Sequence, residues 1–211
     1  MASVATLFSA GRDSTLAATL LDPFFDVTLC HCTFGAATDP PTTGVAADAA
    51  EALGFPVETV RLDEAVAREA VERMVADGYP RAGIQRVHEH ALETLASGAA
   101  GPGEAVDASA GAVADGTRRD DRTPVVEQPF AQSLEDRHGV EYVRPLAGYG
   151  RGAVDDLAAR LLTVETGPIE RLATADYETE LRALMAADHG RETVAAVFPD
   201  HVQSRVTGRR R

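Results

Sequence analysis

Ser9-Ala10-Gly11-Arg12-Asp13-Ser14 follows a short apolar run, Ser3 to Phe8, and precedes an apolar helix pattern that starts at Thr15. A turn of this kind gathers free helix N–H groups at the positive end of the helix dipole, which suits a phosphate. Ser9 and Ser14 add hydroxyl donors, and Gly11 permits close approach of the backbone to a ligand. Asp13 fits less simply, since an anion beside phosphate points to N-capping or to Mg²⁺. On these residues alone, an ordinary strand-to-helix turn capped by Asp13 or Ser9 stands beside the phosphate reading.

A second group of charges is Gly116-Thr117-Arg118-Arg119-Asp120-Asp121-Arg122, after the apolar stretch Ala110 to Ala114. It reads either as a binding turn at a strand end or as a self-neutralising surface loop. Gln85, His88 and Glu89 stand at i, i+3 and i+4 and so share one helical face. Substrate contact, acid–base chemistry and metal binding are open to that face, as is a plain polar surface with one hydrogen-bonded histidine. His88-Glu89-His90 lacks the i, i+4 histidine spacing of zinc proteases. Cys30 and Cys32 alternate in an apolar run, which puts both on one strand face and reads as burial rather than redox or metal chemistry.

The elements that must position these groups alternate. Strands are expected at 3–8, 26–34, 57–62, 110–114 and 141–143, with helices at 15–21, 44–53, 64–77, 84–96, 128–138 and 154–162 between and after them. Such alternation implies a parallel sheet covered on both faces, an α/β doubly wound sheet of five strands. Ligands in such sheets lie beyond the carboxyl ends of the strands, where strand order reverses. Residues 97–109 read as a Gly- and Ala-rich loop, and 35–43 as a Pro- and Thr-rich one. The organisation expected is a nucleotide-binding domain over 1–162 and a small helical extension over 163–211, with an amphipathic helix at Tyr177 to Ala187.

All 20 basic residues are arginine and the formal charge is −13 over 211 residues. That composition matches salt-adapted proteins of a halophilic archaeon, where screening tolerates an acidic surface. It argues against general nucleic-acid binding, which needs a basic face. Arg118, Arg119 and Arg122 form one local exception. No apolar run reaches membrane-spanning length and no signal-peptide pattern is present, so no membrane partner and a cytoplasmic location are expected.

Read together, the two turns resemble those of the PP-loop ATP pyrophosphatases, or adenine nucleotide alpha hydrolases. Ser9 to Ser14 is similar to their Ser-Gly-Gly-x-Asp-Ser loop, Gly116 to Asp121 to their second turn, and Arg144-Pro145-Leu146 with Arg151 to a third match. Within that superfamily the chain resembles an uncharacterised, asparagine synthase-like archaeal group. The likeness runs through Gly78-Tyr79-Pro80, Gly83-Ile84-Gln85, His88-Glu89-His90, Ser133 to Arg137 and Gln203-Ser204-Arg205. Ala10 departs from the pattern, standing where the family has a glycine.

The resemblance implies a Rossmann-like domain that binds ATP with Mg²⁺ and splits it to AMP and pyrophosphate, adenylating an unknown acceptor. It implies phosphate contact by Ser9, Ala10, Gly11, Arg12, Asp13, Ser14, Gly116 and Thr117, and adenine beside Cys32 and Phe34. It assigns Asp13, Asp120 and Asp121 to the metal and Arg118 and Arg144 with Asp13 and Asp121 to catalysis; Gln85, His88 and Glu89 remain candidates for acceptor contact from their shared helix face. A nucleotide-binding module without turnover and a tRNA-modifying enzyme are the alternatives, and a homodimer is compatible with each.

Overall fold

A computed structural model describes residues 1–98, 111–169 and 171–210. The first half alternates as β1 (Ala2–Leu7), α1 (Arg12–Leu21), β2 (Phe25–Thr33), α2 (Thr42–Leu53), β3 (Val57–Arg61), α3 (Glu64–Asp77) and α4 (Arg81–Ala96). It continues with β4 (Ala112–Ala114), α5 (Gln128–His138), β5 (Glu141–Val143) and α6 (Arg151–Leu161). Apart from Ser97 and Gly98, the loop expected over 97–109 lies outside the described residues.

Five strands form one parallel sheet in the order β3-β2-β1-β4-β5. The fold is α/β and Rossmann-like. Chain order runs outward from β1 to β3 on one side, then returns to place β4 on the other side of β1. The reversal therefore falls between β1 and β4, and their carboxyl ends open a crevice there.

The sheet is covered on both faces because its strands are apolar on both. Ala5, Leu7, Cys30, Cys32 and Val113 face α3, α4 and α5, in a layer built on Met74, Leu92 and Leu134. Val4, Leu29, Ala112 and Ala114 face α1, α2 and α6, with Leu16, Ala50 and Val154. A fully buried leucine such as Leu16, Leu29 or Leu92 contributes about 2 kcal/mol through the area it removes from water. Local signals end the helices where expected: Asp63 caps α3 by accepting the Ala65 N–H at 2.9 Å, and Gly78 closes it at φ 64°. α4 crosses α3 closely because residue 83 is glycine; a Cβ there would lie 2.8 Å from the Ala70 carbonyl and overlap Met74.

Beyond residue 161 the chain departs from the helical extension expected. It holds α7 (Tyr177–His189) and α8 (Arg191–Val197), but also β6 (Leu162–Pro168) and β7 (Val202–Arg209), paired antiparallel. Leu162, expected to close α6, begins β6. The ribbon lies against the α1 and α2 side, with Leu162 and Val206 in the core there. α7 and α8 pack on the opposite layer through Leu181, Met185 and Val197. Among the described residues no helix is long and apolar enough to cross a membrane.

Candidate functional site

The turn after β1 is held from outside by the C-terminal segment. The Ser9 carbonyl accepts the Ala175 N–H at 3.2 Å, and the Ala10 carbonyl accepts the Val206 N–H at 2.8 Å. The Arg12 N–H donates to the Ser204 hydroxyl at 3.1 Å. With both carbonyls drawn outward, Ala10 takes φ 56°, a left-handed conformation that costs a non-glycine residue about 1–2 kcal/mol. Its methyl is fully buried in the α1-side core and does not line the cleft. The departure from glycine is therefore absorbed by packing, on the side away from a ligand.

The inner side of the turn presents donors. The N–H groups of Asp13 and Ser14 find no acceptor among the described residues, while the Ser9 and Ser14 hydroxyls lie 3.1 Å apart. Against them packs the turn after β4. A Cβ on Gly116 would lie 2.7 Å from the Ser14 nitrogen and 2.8 Å from the Asp13 carbonyl carbon, so this close approach requires glycine. The two turns thus form one wall at the β1/β4 crevice. The cleft has a volume of about 300 Å³ and includes Phe8, Ser9, Asp13, Ser14, Cys32, Thr117 and Asp121 in its lining.

Its back is a buried polar chain. Asp115, 1 % exposed, accepts the Thr117 N–H and hydroxyl on Oδ1, at 2.9 and 2.7 Å. On Oδ2 it meets the Tyr142 hydroxyl and His88 Nε2, both at 2.8 Å. His88 Nδ1 lies 2.7 Å from the Tyr177 hydroxyl, and Tyr177 faces the cleft. Burial pushes the Asp115 carboxyl up, but the bonds from His88 and Thr117 outweigh it and hold the group below the usual carboxylate range. Burial and the Asp115 charge push the Tyr177 hydroxyl well up, so it stays protonated and able to donate.

The carboxylates of the cleft are matched one by one. Asp121 accepts the Arg118 N–H at 2.7 Å and the guanidinium Nε at 2.9 Å. Asp13 receives Arg12 Nε at 2.7 Å and lies 3.4 Å from Arg118 Nε. Burial disfavours the Arg118 charge, yet Asp121, Asp13 and Asp120 raise its pKa further. Asp176 caps α7, accepting the Thr179 N–H at 2.9 Å. Glu178 holds Arg182 at 2.8 Å, while burial and Asp176 push its carboxyl up.

Several expected residues sit elsewhere. Asp120 points away from the cleft and accepts the Arg151 N–H at the start of α6, at 2.9 Å, so Asp121 alone of the pair lines the cleft. Arg144 donates to the Val126 carbonyl at 3.0 Å and stacks toward Tyr142. Arg12 spans Asp13 and Asp155. Gln85 grips Val125, donating to its carbonyl at 2.8 Å and accepting its N–H at 2.9 Å, and Glu89 accepts from Gln85. Only His88 of that helical trio reaches the cleft. Phe34 is core, and its N–H goes to the buried Glu180 at 2.6 Å. Burial and neighbouring Cys30 push the Cys32 thiol well up, which keeps it an inert wall.

Among the described residues no three His, Cys, Asp or Glu side chains converge in a metal-holding cluster. Mg²⁺ needs no such cage, since it binds through one or two carboxylates plus substrate phosphates. Asp13 and Asp121, on facing turns of one cleft, fit that use.

The fold and site together define a Rossmann-like α/β protein with a polar crevice at the switch point of its sheet. Residues 2–208 match a family described as being of unknown function, DUF7411, and the chain belongs to it. It is 34 % identical over 206 residues to the uncharacterised protein MJ0690 of Methanocaldococcus jannaschii, covering 97 % of this chain and 95 % of that one. A crystal structure from the same organism, described as a predicted subunit of tRNA methyltransferase, superposes with a TM-score of 0.84 at 32 % identity. That likeness covers 100 % of this chain and 99 % of the other.

Proposed function

We propose that the chain is an ATP-dependent adenylating enzyme of the PP-loop, adenine nucleotide alpha hydrolase type. ATP is split to AMP and pyrophosphate to activate a carbonyl or carboxylate oxygen for attack by a nitrogen or sulfur nucleophile. The observation that carries this reading is the contact between the two turns: Gly116 presses on the Asp13–Ser14 backbone, whose N–H groups have no acceptor among the described residues, and both turns line the crevice.

In this reading the leaving pyrophosphate is met by the Asp13 and Ser14 N–H groups, the Ser9 and Ser14 hydroxyls and Arg118, donors fixed before reaction. Asp13 and Asp121 would hold Mg²⁺, which supplies charge neutralisation at the phosphate oxygens. Leu7, Phe8 and Cys32 give the apolar wall for the base. The acceptor oxygen attacks the α-phosphorus and the bond to the β-phosphate oxygen breaks. A nucleophile then displaces AMP, giving its proton to Tyr177, whose own proton passes to His88, and Asp115 stabilises the imidazolium.

The test is incubation of α-labelled ATP and Mg²⁺ with candidate acceptors at high salt. AMP with equimolar pyrophosphate is expected; ADP without AMP overturns the reading. The relative described as a predicted tRNA methyltransferase subunit favours a tRNA-related acceptor, and co-purifying tRNA would support that choice.

A further inference from the structure

The cleft continues past the β4 turn. Ile84, Asp121, Thr123 and Glu178 line it and also line a second basin of about 630 Å³, which runs outward to Tyr79, Arg81, Arg122 and Arg151. In a chain of charge −13, arginines such as Arg68, Arg137 and Arg209 are each held by a carboxylate. Arg81, Arg122 and Arg151 are exposed, and none of them forms an ion pair among the described residues. The carboxylates of the same basin are already engaged: Asp121 by Arg118, Glu178 by Arg182 and Asp120 by the Arg151 N–H. With Asp121 and Glu178 each paired to an arginine, the three exposed guanidinium groups outnumber the one carboxylate left in the basin, Asp120.

Two features make the basin more than a patch of charge. Arg81 and Arg151 are the first residues of α4 and α6; the N-cap of α4 makes no side-chain bond, whereas the first N–H of α6 is taken by the Asp120 carboxylate. The positive end of α4 therefore adds to the field. Tyr79, on the rim, is 55 % exposed, and Tyr149, whose carbonyl accepts the Arg119 N–H, is 41 % exposed. Spaced guanidinium groups beside open aromatic faces match a phosphodiester strand with unstacked bases, whereas a small carboxylate would need one converged site.

We infer that this basin is a docking groove for single-stranded nucleic acid, with phosphates on Arg81, Arg122 and Arg151 and a base on Tyr79. The strand's next nucleotide enters the cleft between Ile84 and Glu178. The inference rests on the adenylation reading only in making that nucleotide the acceptor.

The test is fluorescence anisotropy of labelled oligouridylate and oligothymidylate of about ten nucleotides, within the usual site size, with the full chain. Three neutralised phosphates on a single strand give a salt slope of about −2, so affinity falls about 30-fold between about 0.2 and 1 M KCl. Arg81→Ala/Arg122→Ala/Arg151→Ala abolishes that slope and weakens binding at least tenfold at the lower salt. Tyr79→Ala weakens it about tenfold with the slope kept, since stacking carries no charge. Preference for the ribose oligomer assigns the groove to RNA, and equal affinity assigns it to single strands generally. No binding by the wild type, unchanged affinity in the triple variant, or saturation by a phosphopeptide but by neither oligomer overturns the inference. ATP titrations on the same samples separate the two readings. The triple variant keeps wild-type ATP affinity, and an absence of ATP binding beside intact oligomer binding sinks adenylation alone.

Discussion

Gly116→Ala is the sharpest perturbation of the site, because everything the new methyl meets is backbone. It would lie 2.7 Å from the Ser14 nitrogen, 2.8 Å from the Asp13 carbonyl carbon and 2.9 Å from its oxygen, against an ordinary contact of 3.4–4 Å. No rotamer change relieves this, so one turn must move by roughly half an ångström or more, from the limits of close packing. Neither moves freely: α1 is anchored by the buried Leu16, Ala17 and Ala18, and the β4 turn by the Asp115–Thr117 bonds. Overpacking of this kind costs about 1–3 kcal/mol. At about 2–4 °C per kcal/mol for a chain of this size, the Tm falls by about 2–12 °C. The displaced donors are those assigned to phosphate. Loss of one charge-assisted hydrogen bond, about 1.5–3 kcal/mol, lowers ATP affinity about tenfold to a hundredfold. Urea unfolding and calorimetric ATP titration read the two effects. Gly152→Ala is the control, since a Cβ there meets nothing within 4 Å. Gly116→Ala with unchanged Tm and unchanged ATP affinity would refute the close contact as the source of the site.

Ala10→Gly sets relief of left-handed strain, about 1–2 kcal/mol, against a lost buried methyl of about 0.8 kcal/mol and greater freedom of the unfolded chain, about 0.4–1 kcal/mol. The net change in urea unfolding is within about 1 kcal/mol of zero by that sum, and a loss beyond 2 kcal/mol would show that packing dominates. His31 is 1 % exposed, and burial, which outweighs the Phe8 and Ala175 backbone groups near its ring, lowers its pKa from 6.5 to about 4. The unfolded chain therefore binds the extra proton first, so stability falls as pH drops from 6.5 towards 4, by about 3 kcal/mol in all. His31→Gln flattens that limb of the pH–stability curve; an unchanged limb assigns it to other groups. Tyr177→Phe removes the hydroxyl that reaches His88. AMP formation falls at least about a hundredfold, as for loss of an acid–base group, while ATP affinity stays within about twofold. A loss confined to Tm would make Tyr177 purely structural.

Much of this was legible locally. α3, α5 and β5 have the expected bounds, because apolar periodicity and glycines at 78 and 139 mark them without tertiary help. The two turns were also readable, as each follows an apolar strand. The β6–β7 ribbon was not. Its strands are mostly exposed and lack clean alternation, and Leu162 pairs with Arg209 across the whole of α7 and α8. The Val206 brace on Ala10 came with that ribbon and was hidden with it, as was the Ala175 brace on Ser9 from the segment between β6 and α7. The Asp115–His88–Tyr177 chain draws on β4, α4 and α7, which no spacing connects. Its one signal was His88 beside the buried Val87, Ala91 and Leu92 on α4, a polar residue on an apolar face. Phe34 was expected beside adenine from the family resemblance alone; Glu180, from α7, claims its N–H instead.

The central claim is that the Ser9–Ser14 turn receives nucleotide phosphates. A crystal structure with an α,β-methylene analogue of ATP and Mg²⁺ tests it most directly. Phosphate oxygens are expected within hydrogen-bond distance of the Asp13 and Ser14 N–H groups, with the base against Cys32. Phosphates bound elsewhere, or a cleft that takes up no analogue at millimolar concentration, would contradict it.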